Sequence, residues 1–71
     1  MIICQRLRDL RIDRDKSQAE IAKIIRTSQS YYAQYESGKR NITFERVIIL
    51  AKYYGVSLDY IAGLIDTPER K

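Results

Sequence analysis

The stretch Ser17-Gln18-Ala19-Glu20-Ile21-Ala22-Lys23-Ile24-Ile25-Arg26-Thr27-Ser28-Gln29-Ser30-Tyr31-Tyr32-Ala33-Gln34-Tyr35-Glu36-Ser37-Gly38 carries two helix starts and a helix stop in close succession. Ser17 and Glu20 form a capping-box pattern. The serine hydroxyl can accept from the Glu20 amide while the Glu20 carboxylate reaches back to the Ser17 amide. Ile21, Ala22, Ile24 and Ile25 follow at helical spacing, which predicts a helix of about two turns. Arg26-Thr27 then reads as a connector, and Ser28 as the N-cap of a second helix. In that helix Tyr32 and Tyr35 are spaced i, i+3 and face inward, which turns Gln29, Ser30, Ala33 and Gln34 outward. Gly38 is a C-terminal stop, and Lys39-Arg40-Asn41 forms an exposed basic loop behind it.

Working outward, every flanking segment is also helical in period. Ile3, Leu7 and Leu10 fall at i, i+4, i+7 and predict a first helix that ends near Arg14, within the charged run Asp13 to Lys16. Thr43 caps a fourth helix with a wide apolar face of Phe44, Val47, Ile48, Leu50, Ala51 and Tyr54, closed by Gly55. Ser57 caps a fifth, with Leu58 and Ile61 inward, Leu64 a further inward candidate, and Gly63 as its stop. No apolar/polar alternation is sustained long enough to suggest a strand. The expected fold is all-α and compact, with five helices in one domain over residues 1–65. Residues 66–71, which include Pro68, are expected to form a flexible tail.

Composition narrows the function. A chain of 71 residues with 45% hydrophobic and 31% charged residues suits one small globule. The net charge of +4 is uneven: residues 1–40 carry nine Lys/Arg against five Asp/Glu, whereas residues 41–71 carry four of each. Such one-sided basicity suits a polyanionic partner. Cys4 is the single cysteine, so neither an internal disulfide nor a zinc-thiolate finger can form. There is no histidine, glycine-rich phosphate loop, nucleophile motif or metal-ligand cluster, so an enzyme is not expected and no cofactor or metal is implied. No apolar run approaches the ~20 residues of a membrane span, and residues 1–6 lack the pattern of a secretory leader. A cytoplasmic setting is therefore expected.

Two short helices joined by a tight turn, the second showing polar side chains outward, match the geometry of the DNA major groove. Gln29, Ser30, Ala33 and Gln34 are the candidate base readers. A glutamine carboxamide can pair bidentately with adenine, a serine can donate or accept, and an alanine methyl can touch the thymine methyl. Ser17, Gln18, Ser28, Tyr31, Lys39, Arg40 and Asn41 are the candidate phosphate contacts, set around a helix N-terminus whose free amides favour an anion. Phosphate contacts position the protein without carrying sequence information. The tyrosines at 31, 32, 35, 53, 54 and 60 raise the alternative of a stacking surface for single strands. Tyr32, Tyr35 and Tyr54 fall on core faces, which leaves too few for that.

Residues 3–64 resemble the Cro/C1-type, or Xre-like, helix-turn-helix family of phage repressors and bacterial regulators, with a lambda-repressor-like fold. The resemblance is carried by Ile3…Leu7…Leu10-Arg11, Ser17-Gln18-Ala19-Glu20-Ile21-Ala22, Ser28-Gln29-Ser30-Tyr31-Tyr32, Tyr35-Glu36-Ser37-Gly38-Lys39-Arg40 and Leu50 to Ile61. It implies five helices, the second and third forming the helix-turn-helix. It also implies a phosphate contact for Gln18, base reading at Gln29, Ser30 and Gln34, and a structural salt bridge between Arg11 and Glu36. Two positions depart from the family pattern. Arg26 stands where glycine is usual and the turn is often left-handed, at a cost of about 1 kcal/mol. Thr43 stands where proline is frequent, and caps equally well.

The resemblance implies a sequence-specific regulator of double-stranded DNA, a repressor acting as a homodimer on a palindromic operator, bacterial or phage-encoded and nucleoid-associated. Tyr60, Leu64 and Ile65 are the candidate dimer surface. The alternative is an antitoxin or protein-interaction module whose main partner is a toxin, an antirepressor or another protein. Salt separates the two, because binding to phosphates weakens steeply as salt rises and binding at an apolar surface does not.

Overall fold

The computed structural model describes residues 2–67. Five helices make up the fold, and no strand occurs among the described residues: α1 (Ile2–Asp13), α2 (Gln18–Ile24), α3 (Gln29–Ser37), α4 (Phe44–Tyr54) and α5 (Leu58–Ala62). The expected tail is described only at Asp66 and Thr67; Pro68 to Lys71 lie outside the described residues.

The helix boundaries follow from local chemistry. Ser17, Ser28, Thr43 and Ser57 each sit in extended backbone and accept a hydrogen bond from an amide of the first turn. At Ser17 the box is complete: Glu20 N donates to Ser17 Oγ at 3.1 Å and Ser17 N to Glu20 Oε1 at 3.0 Å. Those bonds from Ser17 hold the exposed Glu20 carboxyl below its ordinary range. Gly63 ends α5 with φ +84°, and a Cβ there would lie 2.9 Å from the Ile2 side chain, so both the conformation and the close approach require glycine.

The core is one cluster fed by all five helices. α2 packs against α3, α1 against α3 and α5, and α4 against α5. Leu7, Ile21, Tyr32, Leu50 and Ile61 are its largest fully buried side chains, one from each helix. Cys4 is buried on the edge of α1's inner face. Two apolar expectations fail. Phe44 is 70% exposed, because the stripe of α4 with partners runs through Val47, Leu50, Ala51 and Tyr54 and the first turn projects beyond it. Leu64 is 75% exposed, because α5 stops at Ala62 and the chain turns at Gly63 before another inward position is reached.

Candidate nucleic-acid interface

The turn between α2 and α3 is short and anchored from below. Ile25 caps α2 and is buried, while Thr27 N donates to Ala22 O at 2.9 Å. Between them Arg26 takes φ +59° with its side chain in solvent, so the left-handed residue has no visible compensation. Ser28 then starts α3, its Oγ accepting from Tyr31 N at 3.1 Å.

α3 is held by its inner side. Tyr32 and Tyr35 are buried. Glu36 is gripped by a two-point ion pair, Arg11 Nε to Oε2 at 2.7 Å and Arg11 Nη2 to Oε1 at 3.0 Å. Arg11 Nη1 also donates to Lys16 O at 2.9 Å, so this side chain ties α1, the loop before α2, and α3 together. Burial alone would raise the Glu36 carboxyl, but the bonds from Arg11 and Gln18 and the Arg11 charge outweigh that and hold it below its ordinary range. Bonding to Glu36 pushes the Arg11 guanidinium up in turn.

The expected readers are distributed around the opposite side. Gln29 and Ser30 are exposed, whereas Ala33 and Gln34 are half-buried. Ser30 Oγ lies 3.4 Å from Ser28 Oγ. Gln34 is engaged within the chain: Arg40 Nε donates to its Oε1 at 2.6 Å, and Arg40 N to its backbone oxygen at 3.2 Å. The Arg40 guanidinium also lies over the Tyr31 ring, 4.7 Å from its centroid. Tyr31 meets Tyr35 edge to face at 5.4 Å, and Arg46 Nη1 donates to the Tyr35 hydroxyl at 2.6 Å. Lys39 and Asn41 are exposed beside Arg40, and Ser17 and Ser28 are exposed at the two caps.

Gln18 is half-buried, and its Nε2 donates to Glu36 Oε1 at 3.2 Å. One of its amide hydrogens is thus committed to the ion pair and the other remains. Tyr60 and Ile65 are likewise partly engaged. Arg6 stacks on the Tyr60 ring at 4.1 Å and donates to Tyr60 O and Ile65 O at 3.0 and 2.9 Å. Leu64, between them, is open to solvent. The contacts of Arg40, Arg46 and Arg6 escape sequence reasoning, because each joins residues across a turn or across the whole chain with no periodic signal.

The helix-turn-helix family model matches residues 7–61, which contain α2, the turn, α3 and the Arg40 loop but not Arg6, Leu64 or Ile65. The chain belongs to the Cro/C1-type helix-turn-helix family. That is a family of transcription regulators and not of enzymes. Two curated relatives are similar over nearly all of it. An uncharacterized HTH-type transcriptional regulator YobD of Bacillus subtilis (strain 168) is 40% identical over 68 residues, 96% of this chain and 61% of the relative. The cryptic phage CTXphi transcriptional repressor RstR of Vibrio cholerae is 42% identical over 64 residues, 90% of this chain and 55% of the relative. The chain therefore spans less than two thirds of the length of these relatives. No solved structure matches it. None of its described helices is long and apolar enough to cross a membrane.

Proposed function

We propose that this domain binds double-stranded DNA in a sequence-specific way and represses transcription, with α3 lying in the major groove and Gln29, Ser30, Ala33 and Gln34 reading bases. The observation that carries this reading is the two-sidedness of α3: its inner side is anchored by buried tyrosines and a two-point ion pair, and its outer side carries the exposed Gln29 and Ser30 beside the half-buried Ala33 and Gln34. Rigid placement of a few polar groups is what direct readout requires. Phosphates would be held by Lys39, Arg40 and Asn41 behind α3, by Ser28 and Tyr31 at its start, and by Ser17 and the free Gln18 amide hydrogen before α2.

A homodimer on a palindromic operator fits the dimensions. The longest extent of the described fold is 31 Å, close to the ~34 Å between half-sites one helical turn apart, so a single copy reaches one half-site. The open Leu64 side chain, flanked by Tyr60 and Ile65, is the proposed dimer contact. RstR is named a transcriptional repressor, which supports repression over activation. The exposure of Phe44 and Leu64 also supports the alternative of a protein partner such as a toxin or antirepressor.

Selection of binding sites from a random duplex library tests the reading. The domain is expected to enrich a two-fold symmetric site, and the Gln29→Ala/Gln34→Ala double variant to lose or relax it. Weak binding with no enriched sequence would instead favour the protein partner.

A further inference from the structure

A free glutamine can read adenine by donating from its amide nitrogen while accepting at its oxygen. Gln34 is not free. Its oxygen accepts from Arg40 Nε at 2.6 Å. Oxygen and nitrogen of a carboxamide are told apart by their partners, and a guanidinium only donates, so the atom facing Arg40 has to be the oxygen. The amide nitrogen then points to the far side of the carboxamide, and it brings only donors.

Arg40 is itself held in place. Its backbone N–H is bonded to the Gln34 carbonyl, and its guanidinium rests on Tyr31, which is propped edge-on against the buried ring of Tyr35. Nε is committed to Gln34, whereas the N–H groups of the two terminal nitrogens are left for a ligand on an exposed side chain. The Gln34 amide and the free end of Arg40 thus form one edge made of donors. Guanine is the base that answers such an edge: it presents two acceptors, N7 and O6, in the major groove, where adenine presents an acceptor and a donor.

We propose that Arg40 is a specificity-determining residue, which locks the Gln34 carboxamide oxygen-inward so that the pair selects guanine rather than adenine. This rests on the reading of α3 as the base-reading helix. It puts a base contact in place of the phosphate contact given to Arg40 above, which would strengthen binding to all sequences equally.

The test is site selection and competition binding with the wild type, Gln34→Ala, Arg40→Ala and Arg40→Lys, each first checked for an unchanged helical melting curve. Gln34→Ala identifies the operator position that depends on Gln34. The wild type is expected to prefer guanine there by about tenfold over adenine. Arg40→Ala is expected to reverse that preference, since the released carboxamide can pair bidentately with adenine, and to leave the other positions unchanged. Arg40→Lys keeps the charge, and with it most of the affinity, but neither the Nε–H that holds the oxygen nor the two terminal nitrogens, so it too should lose the guanine preference. A wild-type preference for adenine would overturn the proposal. So would an Arg40→Ala variant that binds every sequence more weakly by one common factor. If Gln34→Ala selects the wild-type site unchanged, Gln34 reads no base and the proposal falls; the reading of α3 falls with it only if Gln29→Ala also leaves the selected site unchanged.

Discussion

The two sides of α3 are built from the same parts and use them differently. On the inner side an arginine from α1 meets Glu36, next to the buried ring of Tyr32. On the outer side an arginine from the following loop meets Gln34, next to the half-buried ring of Tyr31. Both arginines make a short bond to a side-chain oxygen on the same helix. Burial separates them. The Glu36 side chain is 4% exposed and cannot lose its partner without stranding a charge, whereas the bond between Gln34 and Arg40 lies at the surface and either side chain can be removed without stranding a buried group. Equivalent bonds therefore do structural work where water is excluded and recognition where water is not.

The largest expected effect follows from the inner pair. Removing one member of a buried ion pair costs about 3–5 kcal/mol, because the other charge is left behind. A small domain has a net stability of roughly 5–10 kcal/mol, so Arg11→Ala should lose about a third or more of it in urea denaturation. The same site sets an acid limit. The folded Glu36 carboxyl titrates below its ordinary value of 4.5, so the charged form favours folding. That contribution is complete above the unfolded value and is lost as the pH falls through the folded one. Wild-type stability should therefore decline below about pH 4.5, and a Glu36→Gln variant, weaker at neutral pH, should lack this part of the decline. An Arg11→Ala domain as stable as the wild type would remove the distinction between the two sides.

The outer side should give the reverse pattern. Gln29→Ala and Gln34→Ala each remove a contact worth about 1–3 kcal/mol of discrimination between bases, and neither strands a buried group. Competition binding should register the loss while the melting temperature stays within a degree or two of wild type. A large fall in melting temperature for Gln34→Ala would mean that the outer bond also supports the fold.

How far the sequence reaches divides along the same line. The caps at Ser17, Ser28, Thr43 and Ser57 and the inward tyrosines were legible, because caps and helical period are local. The match of Arg11 to Glu36 was legible only through family resemblance, since the two residues are far apart in the chain. The Arg40 clamp was not legible at all: Gln34 and Arg40 meet across the reversal at Gly38, where no periodicity applies. Phe44 and Leu64 misled for a related reason. Hydrophobicity shows that a side chain favours burial, but whether a neighbour reaches it depends on where α4 begins and α5 stops.

Arg26 offers a smaller effect on the edge between the two sides. It holds φ +59° with its side chain in solvent, so its Cβ carries the left-handed penalty without a contact in return. Arg26→Gly should stabilise the domain by about 1 kcal/mol, a rise of roughly 4–8 °C in a calorimetric melt. Glycine also widens the unfolded ensemble, which opposes the gain. An unchanged or lower melting temperature would mean that this entropy outweighs the relieved strain. If DNA affinity also fell and its salt dependence flattened by about one charge, Arg26 would join the phosphate contacts.

The smallest effect concerns a hydroxyl on the inner side that no pairing serves. Tyr35 accepts from Arg46, but the Tyr54 hydroxyl is buried without a hydrogen-bond partner among the described residues. Burial, reinforced by the Glu36 charge, pushes that phenol above its ordinary range. Arg14 uses other parts of the residue, donating to the Tyr54 carbonyl at 2.8 Å and lying 5.3 Å from the ring centroid, and a phenylalanine would keep both contacts. Removing an unpaired buried hydroxyl relieves desolvation and breaks no bond, so Tyr54→Phe should be neutral or stabilise by up to about 1 kcal/mol in denaturant unfolding. A loss of that size would instead show that the hydroxyl has a partner in solution. A trapped water bridging it toward Glu36 would supply one, and the inner ion pair would then extend further into the core than its direct bonds show.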